Sequence, residues 1–407
     1  MKNPYLMHAT VFILGVIAVA WFFFGNSPGI AGAIAADVRE SCAKEPDRGA
    51  CYEKEMPILL ESMSLEDVFQ VIRLIREKDT SYQFCHVLAH KLGEKVVAQD
   101  PARWIEAMAL NPSDGLCSNG FIHGVVGGKF RAEVLDDATL EKFIPDFSRA
   151  CKPRVNWQPS LLDQAICYHG MGHLYMFITD ADISKALSIC ERTSISNTGD
   201  FRRVCREGVF MQIYQPLEPD DFLMIERMAV KPTKKTVRQF CARFTNDAYE
   251  GACLRESWPY VREELLKEKG AIDTFCSDQP NAEEESACYD AALSIIGRQT
   301  LGNEDAALTA CSGLRAEEKR SECYARVALA YLEEDRGDPA PAVTFCRSVP
   351  EAHASGCLAQ LSERAEFIFG EDTAALRRFC VELPFPFQRD CGRGSSKQTI
   401  SGIVQSQ

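Results

Sequence analysis

The sequence predicts an all-α protein: a solenoid of disulfide-stapled helical hairpins with a period of about 35 residues, behind one N-terminal transmembrane or signal helix. Three observations predict it. Cysteines recur at a fixed interval, the apolar residues between them recur at helical spacing, and an apolar run opens the chain.

The cysteine interval is the clearest pattern. Cys241, Cys276, Cys311, Cys346 and Cys380 stand 35, 35, 35 and 34 residues apart, and each has a second cysteine 11 or 12 residues later, namely Cys253, Cys288, Cys323, Cys357 and Cys391. The text around them repeats as well, from "QFC…GAC" to "TFC…SAC", "TAC…SEC", "TFC…SGC" and "RFC…RDC". A fixed period of this length with helical patterning is the signature of stacked helical hairpins. In one unit, "AALTAC" ends a short first helix, "SGLRAEEKRSE" makes the turn, and "CYARVALAYLEE" opens a longer second helix. Clusters such as "DRGDPA" separate that helix from the next unit.

Eighteen cysteines, an even number, read as a disulfide framework, and the absence of any CxxC pair weakens a zinc-ribbon reading. Neighbours in sequence are expected to pair: Cys42–Cys51, Cys151–Cys167, Cys190–Cys205, and the five regular pairs from Cys241–Cys253 to Cys380–Cys391, with Cys85–Cys117 as the irregular remainder. Each bridge across a turn closes a loop of about a dozen residues, which stabilises by roughly 3 kcal/mol in the chain-entropy model. A single hairpin buries too little to fold alone, so the staples compensate for a thin core.

At the N-terminus, Lys2 precedes the apolar run "ATVFILGVIAVAWFFF" (Ala9 to Phe24), whose aromatic end suits a membrane interface. An uncleaved anchor is favoured over a cleaved signal, since the cleavage-like Ala33-Ile34-Ala35 lies far from the apolar core. Lys2 keeps the N-terminus cytoplasmic and places the remainder outside. The expected organisation is an anchor and linker over 1–36, histidine-containing repeats over 37–228, regular cysteine-stapled repeats over 229–392, and a flexible tail over 393–407. A net charge of −13 argues against a phosphate-binding surface, so no nucleic-acid partner is expected.

Chemistry concentrates in the histidines. Numbered from the cysteine that opens each second helix, positions +2 and +6 share the face opposite that cysteine. They hold His169 and His173 after Cys167, Asn119 and His123 after Cys117, and Glu207 and Met211 after Cys205. The stretch "YQFCHVLAHKLGE" fits if its frame starts at Phe84, which adds His86 and His90. Glycines at +3 (Gly120, Gly170, Gly208) are expected to lie on the cysteine side, where a smooth face lets the first helix approach. Five of the seven histidines thus occupy related positions on successive helices. His8 and His353 read as incidental, the second in a polar turn.

Histidines at i and i+4 on one helix face can chelate a metal. The set His86, His90, His123, His169 and His173 is therefore a candidate site for a divalent metal ion. Ligation without thiolate suits zinc, copper or iron, and Met171, Met176 and Met211 tilt toward copper. Glu207 or Glu94 is the candidate to complete the shell or act as a catalytic base. The convergence is expected to place the rings of His90, His123 and His173 within about 8 Å of one another. The alternative makes the histidines a structural network in a scaffold whose concave surface binds a protein or glycan partner. Phosphate loops, GxSxG, HExxH and CxxCH are absent.

The stretches "CHVLAHKLG", "CSNGFIHG" and "CYHGMGH" resemble signatures of exported bacterial proteins rich in cysteine and histidine. The resemblance covers residues 85–175. It implies an extracytoplasmic bacterial protein, here one held at the inner membrane with its bulk periplasmic or extracellular, and it implies no particular activity. The period also matches tetratricopeptide repeats in length, but their Trp, Gly, Tyr and Pro positions are not reproduced.

Overall fold

The computed structural model describes residues 28–79, 82, 85–130, 134–370 and 372–391. Among these the chain is helical throughout, with no strand and only the isolated bridges Arg154–Trp157 and Ile195–Asp200. The apolar run Ala9 to Phe24 lies outside the described residues, among which no helix is long and apolar enough to cross a membrane. The described residues form two compact units, divided between Leu88 and Ala89.

In the first unit, helices Pro28–Cys42, Arg48–Glu55 and Leu65–Lys78 pack together, with Cys42–Cys51 bridging the first two. The stretch expected as linker is instead the first half of Pro28–Cys42. Small residues four apart explain this, because Ala31 and Ala35 are buried and let the helix lie close on its neighbour. Asp79 is buried and accepts from the Tyr52 hydroxyl at 2.8 Å and from Arg48 at 3.0 Å.

The second unit contains both the histidine-bearing and the regular repeats. Seven bridges in it join the cysteines that the spacing pairs, from Cys151–Cys167 to Cys380–Cys391. Cys85 and Cys117 are disulfide-bonded too, and no free cysteine remains among the described residues. Hairpins follow one another as helix pairs such as Ala271–Cys276 with Ala282–Gln299, and Glu304–Ser312 with Glu317–Glu334. The longer helix starts before its cysteine and is not opened by it: Glu317 precedes Cys323 and Ala282 precedes Cys288. Acidic first turns (Glu283 to Glu285; Glu317 and Glu318) favour the helix N-terminus, and so extend helix into the stretch expected as turn. His353 likewise sits in the first turn of helix Glu351–Phe369, buried against Ser321, and not in a polar turn.

Repeats of an open solenoid touch only their neighbours. In this unit the later hairpins also reach the early ones. Arg336 pairs with Asp163 at 2.8 Å and donates to the Ser113 carbonyl at 3.2 Å. Ser118 donates to Glu334 at 3.2 Å, and helix Glu351–Phe369 packs on Leu161–Ile178. Ion pairs join neighbouring long helices of the row. Arg255 joins Glu207 and Glu284, Arg326 holds Asp290 at 2.9 Å, and Arg298 holds Glu333 at 2.8 Å.

Candidate metal centre

Four helices carry the site: His86–Gln99, Gly120–Phe130, Leu161–Ile178 and Arg202–Tyr214. Their close approach comes from glycine, on the face toward the next long helix and not the expected one. The Gly170 hydrogen faces the ring of His123 on the neighbouring longer helix, and a Cβ there would stand 2.6 Å from Nε2. At Gly124 a Cβ would collide with the backbone carbonyl of His90. Gly208 meets the backbone of His169 in the same manner. These glycines therefore face the next long helix of the row and not the short helix of their own hairpin, because any side chain there would hold the long helices apart.

Helix Gly120–Phe130 does not open at Cys117. Cys117, Ser118 and Asn119 have φ of 56°, 52° and 59°, a left-handed turn that non-glycine residues seldom form in series. Asn119 is buried there and accepts from Asn111 Nδ2 at 2.6 Å, away from the helical register in which it matched His169.

His86 and His90 lie one turn apart on one helix. One ring nitrogen each of His86, His90 and His123 lies within 4.8 Å of the others, and all three residues are buried. Ring centroids are 5.6 Å apart for His90 and His123, 5.7 Å for His123 and His173, 6.4 Å for His123 and His169, and 4.9 Å for His169 and His173. A cavity of about 40 Å³ is lined by His90, His123, His173, Met211, Gln212 and Asp221, among others.

Neighbouring acceptors set the tautomers. A carboxylate or carbonyl oxygen only accepts, so the ring nitrogen facing it carries the proton and the other keeps its lone pair. His90 Nδ1 donates to Glu218 Oε1 at 3.0 Å, which puts the ring's lone pair on Nε2. His123 Nε2 donates to the Ile166 carbonyl at 3.2 Å, leaving Nδ1. His169 Nδ1 donates to the Val204 carbonyl at 3.2 Å, and His173 Nδ1 to Gln212 Oε1 at 2.6 Å. Burial, then the neighbouring His173, pushes His169 well below the usual imidazole range and keeps it neutral.

The two carboxylates singled out from sequence lie differently. Glu207 is held by Arg255 at 3.0 Å, with Arg203 at 3.9 Å, and does not line the cavity. A buried carboxylate is stable only beside a cation, and Arg255 supplies one. Glu94 follows His90 by one turn, with its backbone against Gly128. Asp221 lines the cavity, and Glu218, at the start of the same helix, meets His90. Asp221 accepts from the backbone of Leu217 at 2.8 Å and Glu218 at 2.9 Å, which caps helix Pro219–Arg227. The run "EPDD" is a helix-start signal that could have located this helix, though not its partner histidine.

No known protein family matches the chain, no curated protein is found similar to it, and no solved structure matches its fold.

Proposed function

We propose that this protein is an extracytoplasmic helical-repeat protein that binds a divalent transition metal through His86, His90 and His123. The observation that carries the reading is the convergence of three ring nitrogens within 4.8 Å, on histidines two of which have one nitrogen held by an acceptor. Such outer partners fix the tautomer and raise the basicity of a ligating histidine, and a carboxylate such as Glu218 is the usual choice. Nitrogen ligation without thiolate suits zinc, copper or iron.

Three protein ligands leave a coordination position for an exogenous ligand. The nearby carboxylates are already committed, Glu218 to His90 and the cavity-lining Asp221 to its helix cap, which favours binding over proton abstraction. In this reading the later hairpins brace the histidine-bearing ones, and the pairing of Arg336 with Asp163 supports that role. The disulfides support an oxidising compartment, since thiols stay reduced in the cytosol. The apolar run Ala9 to Phe24 supports anchoring at the bacterial inner membrane with the bulk outside.

The test is elemental analysis and Zn(II) competition titration of the full chain, purified from an oxidising compartment with its disulfides intact. One tightly held equivalent is expected, lost in His86→Ala/His90→Ala with helical content retained. Equal Zn(II) binding by the two proteins would overturn the reading.

A further inference from the structure

We infer that His169 Nε2, Met211 Sδ and His173 form a second metal site in the same pocket, one that takes a soft monovalent cation of the Cu(I) class. It does not rest on the His86–His90–His123 site, because its ligands lie on helices Leu161–Ile178 and Arg202–Tyr214 and none belongs to that group.

His169 Nε2 stands 3.2 Å from Met211 Sδ, and both residues are fully buried. The Val204 carbonyl takes the proton of Nδ1 at 3.2 Å, so in the neutral ring Nε2 presents a lone pair. A thioether sulfur also presents only lone pairs. Two such atoms face each other favourably when something electropositive bonds to both. A proton on Nε2 would make the ring a buried cation whose two nitrogens meet a carbonyl and a thioether, with no carboxylate on either. A soft cation instead bonds well to an imidazole nitrogen and a thioether together.

His173 supplies a third ligand. It follows His169 by one turn on the same helix, its ring centroid lies 4.9 Å from that of His169, and its proton is held at Nδ1 by Gln212 Oε1 at 2.6 Å. Its Nε2 is the remaining lone pair. His173 and Met211 line the cavity, which gives the pair an approach from outside. Zinc prefers nitrogen, oxygen or thiolate, so the thioether makes this position select a different cation from the three-histidine group. Thioether also suits a chain whose cysteines are tied up in disulfides.

Ag(I) is the probe, because it mimics Cu(I) and needs no reductant that would open the disulfides. The full chain is titrated with Ag(I), and its silver-edge absorption spectrum is recorded with ordinary methionine and with selenomethionine. One Ag(I) equivalent with nitrogen and sulfur neighbours is expected, the sulfur shell becoming selenium in the labelled protein. Met211→Leu, which keeps the volume, is expected to lose that shell and to bind Ag(I) at least about tenfold more weakly. His86→Ala/His90→Ala is expected to lose the Zn(II) equivalent and keep the Ag(I) one, which separates failure of one site from failure of the other. A shell that stays sulfur after labelling, or Met211→Leu binding Ag(I) like the parent, overturns the proposal. The labelled protein needs no substitution, so it decides even if Met211→Leu fails to fold.

Discussion

The carboxylate of Glu218 stands 3.0 Å from Nδ1 of His90, a residue 128 positions earlier in the chain. Helix Pro219–Arg227 is capped so that this carboxylate projects at the histidine group. The pairing turns an ordinary imidazole into an oriented one. Glu218→Gln removes the charge and keeps the size, so Zn(II) affinity is expected to fall about 10–100-fold. Competition titration measures it, and an unchanged affinity would separate Glu218 from the metal.

Gly124 and Gly170 are expected to tolerate no side chain. Alanine at either position drives a Cβ into the His90 backbone or the His123 ring. Overpacking of this kind costs about 1–3 kcal/mol, read as a lowered midpoint in denaturant. Gly170→Ala is also expected to weaken Zn(II) binding by displacing His123, whereas Gly32→Ala, with open space at its Cβ, changes neither.

Arg255 and Glu207 separate structure from chemistry. Burial alone would lower the Arg255 pKa, but the carboxylates of Glu207 and Glu284 outweigh it and raise it. Arg255→Met leaves buried carboxylates unpaired and is expected to destabilise by about 3–5 kcal/mol. Glu207→Gln is expected to leave Zn(II) affinity unchanged, which a titration at matched helical content checks.

Alkaline pH is expected to weaken the fold in a defined window. Burial, reinforced by Asp79, raises Tyr52 to about 12, and burial with Asp273 raises Tyr289 to about 12, both from 10.0. A raised folded-state pKa means that the folded protein holds its proton more tightly than the unfolded chain. The contribution is therefore complete below pH 10.0 and is lost as pH rises from there through about 12. Tyrosinate absorbance and denaturant midpoints measured together check it, and Tyr289→Phe is expected to flatten the dependence.

The Cys311–Cys323 staple is expected to stabilise its hairpin by about 2–4 kcal/mol. Cys311→Ser/Cys323→Ser should lower the unfolding midpoint accordingly while leaving Zn(II) binding in place, because the histidine pocket lies in other hairpins.

Much of the architecture is legible without coordinates because it is local. Helix type follows from the spacing of apolar residues, and the staples follow from cysteines 9 to 16 residues apart, a distance that one turn can close. The helix starts are less legible, because acidic residues such as Glu317 occur both in polar turns and in the first turn of a helix. The pairs His86 with His90 and His169 with His173 are visible as one-turn neighbours. Asn119 shows the limit of that counting, since a left-handed turn removes it from the register that spacing assigns.

By itself the sequence determined the helical class, the sequence-local bridges and the oxidising chemistry they require, since each depends on residues within one hairpin. Tertiary structure decided the rest. It chose Glu218 over Glu207 as the partner of the histidine group, set Met211 Sδ against His169 Nε2, and joined Arg336 to Asp163 across 173 residues. The physical reason is that those relationships depend on how closely one helix backbone lies on the next. That distance is set by what a glycine on one helix meets on another, as Gly170 meets His123, and no residue's spacing within its own helix contains it.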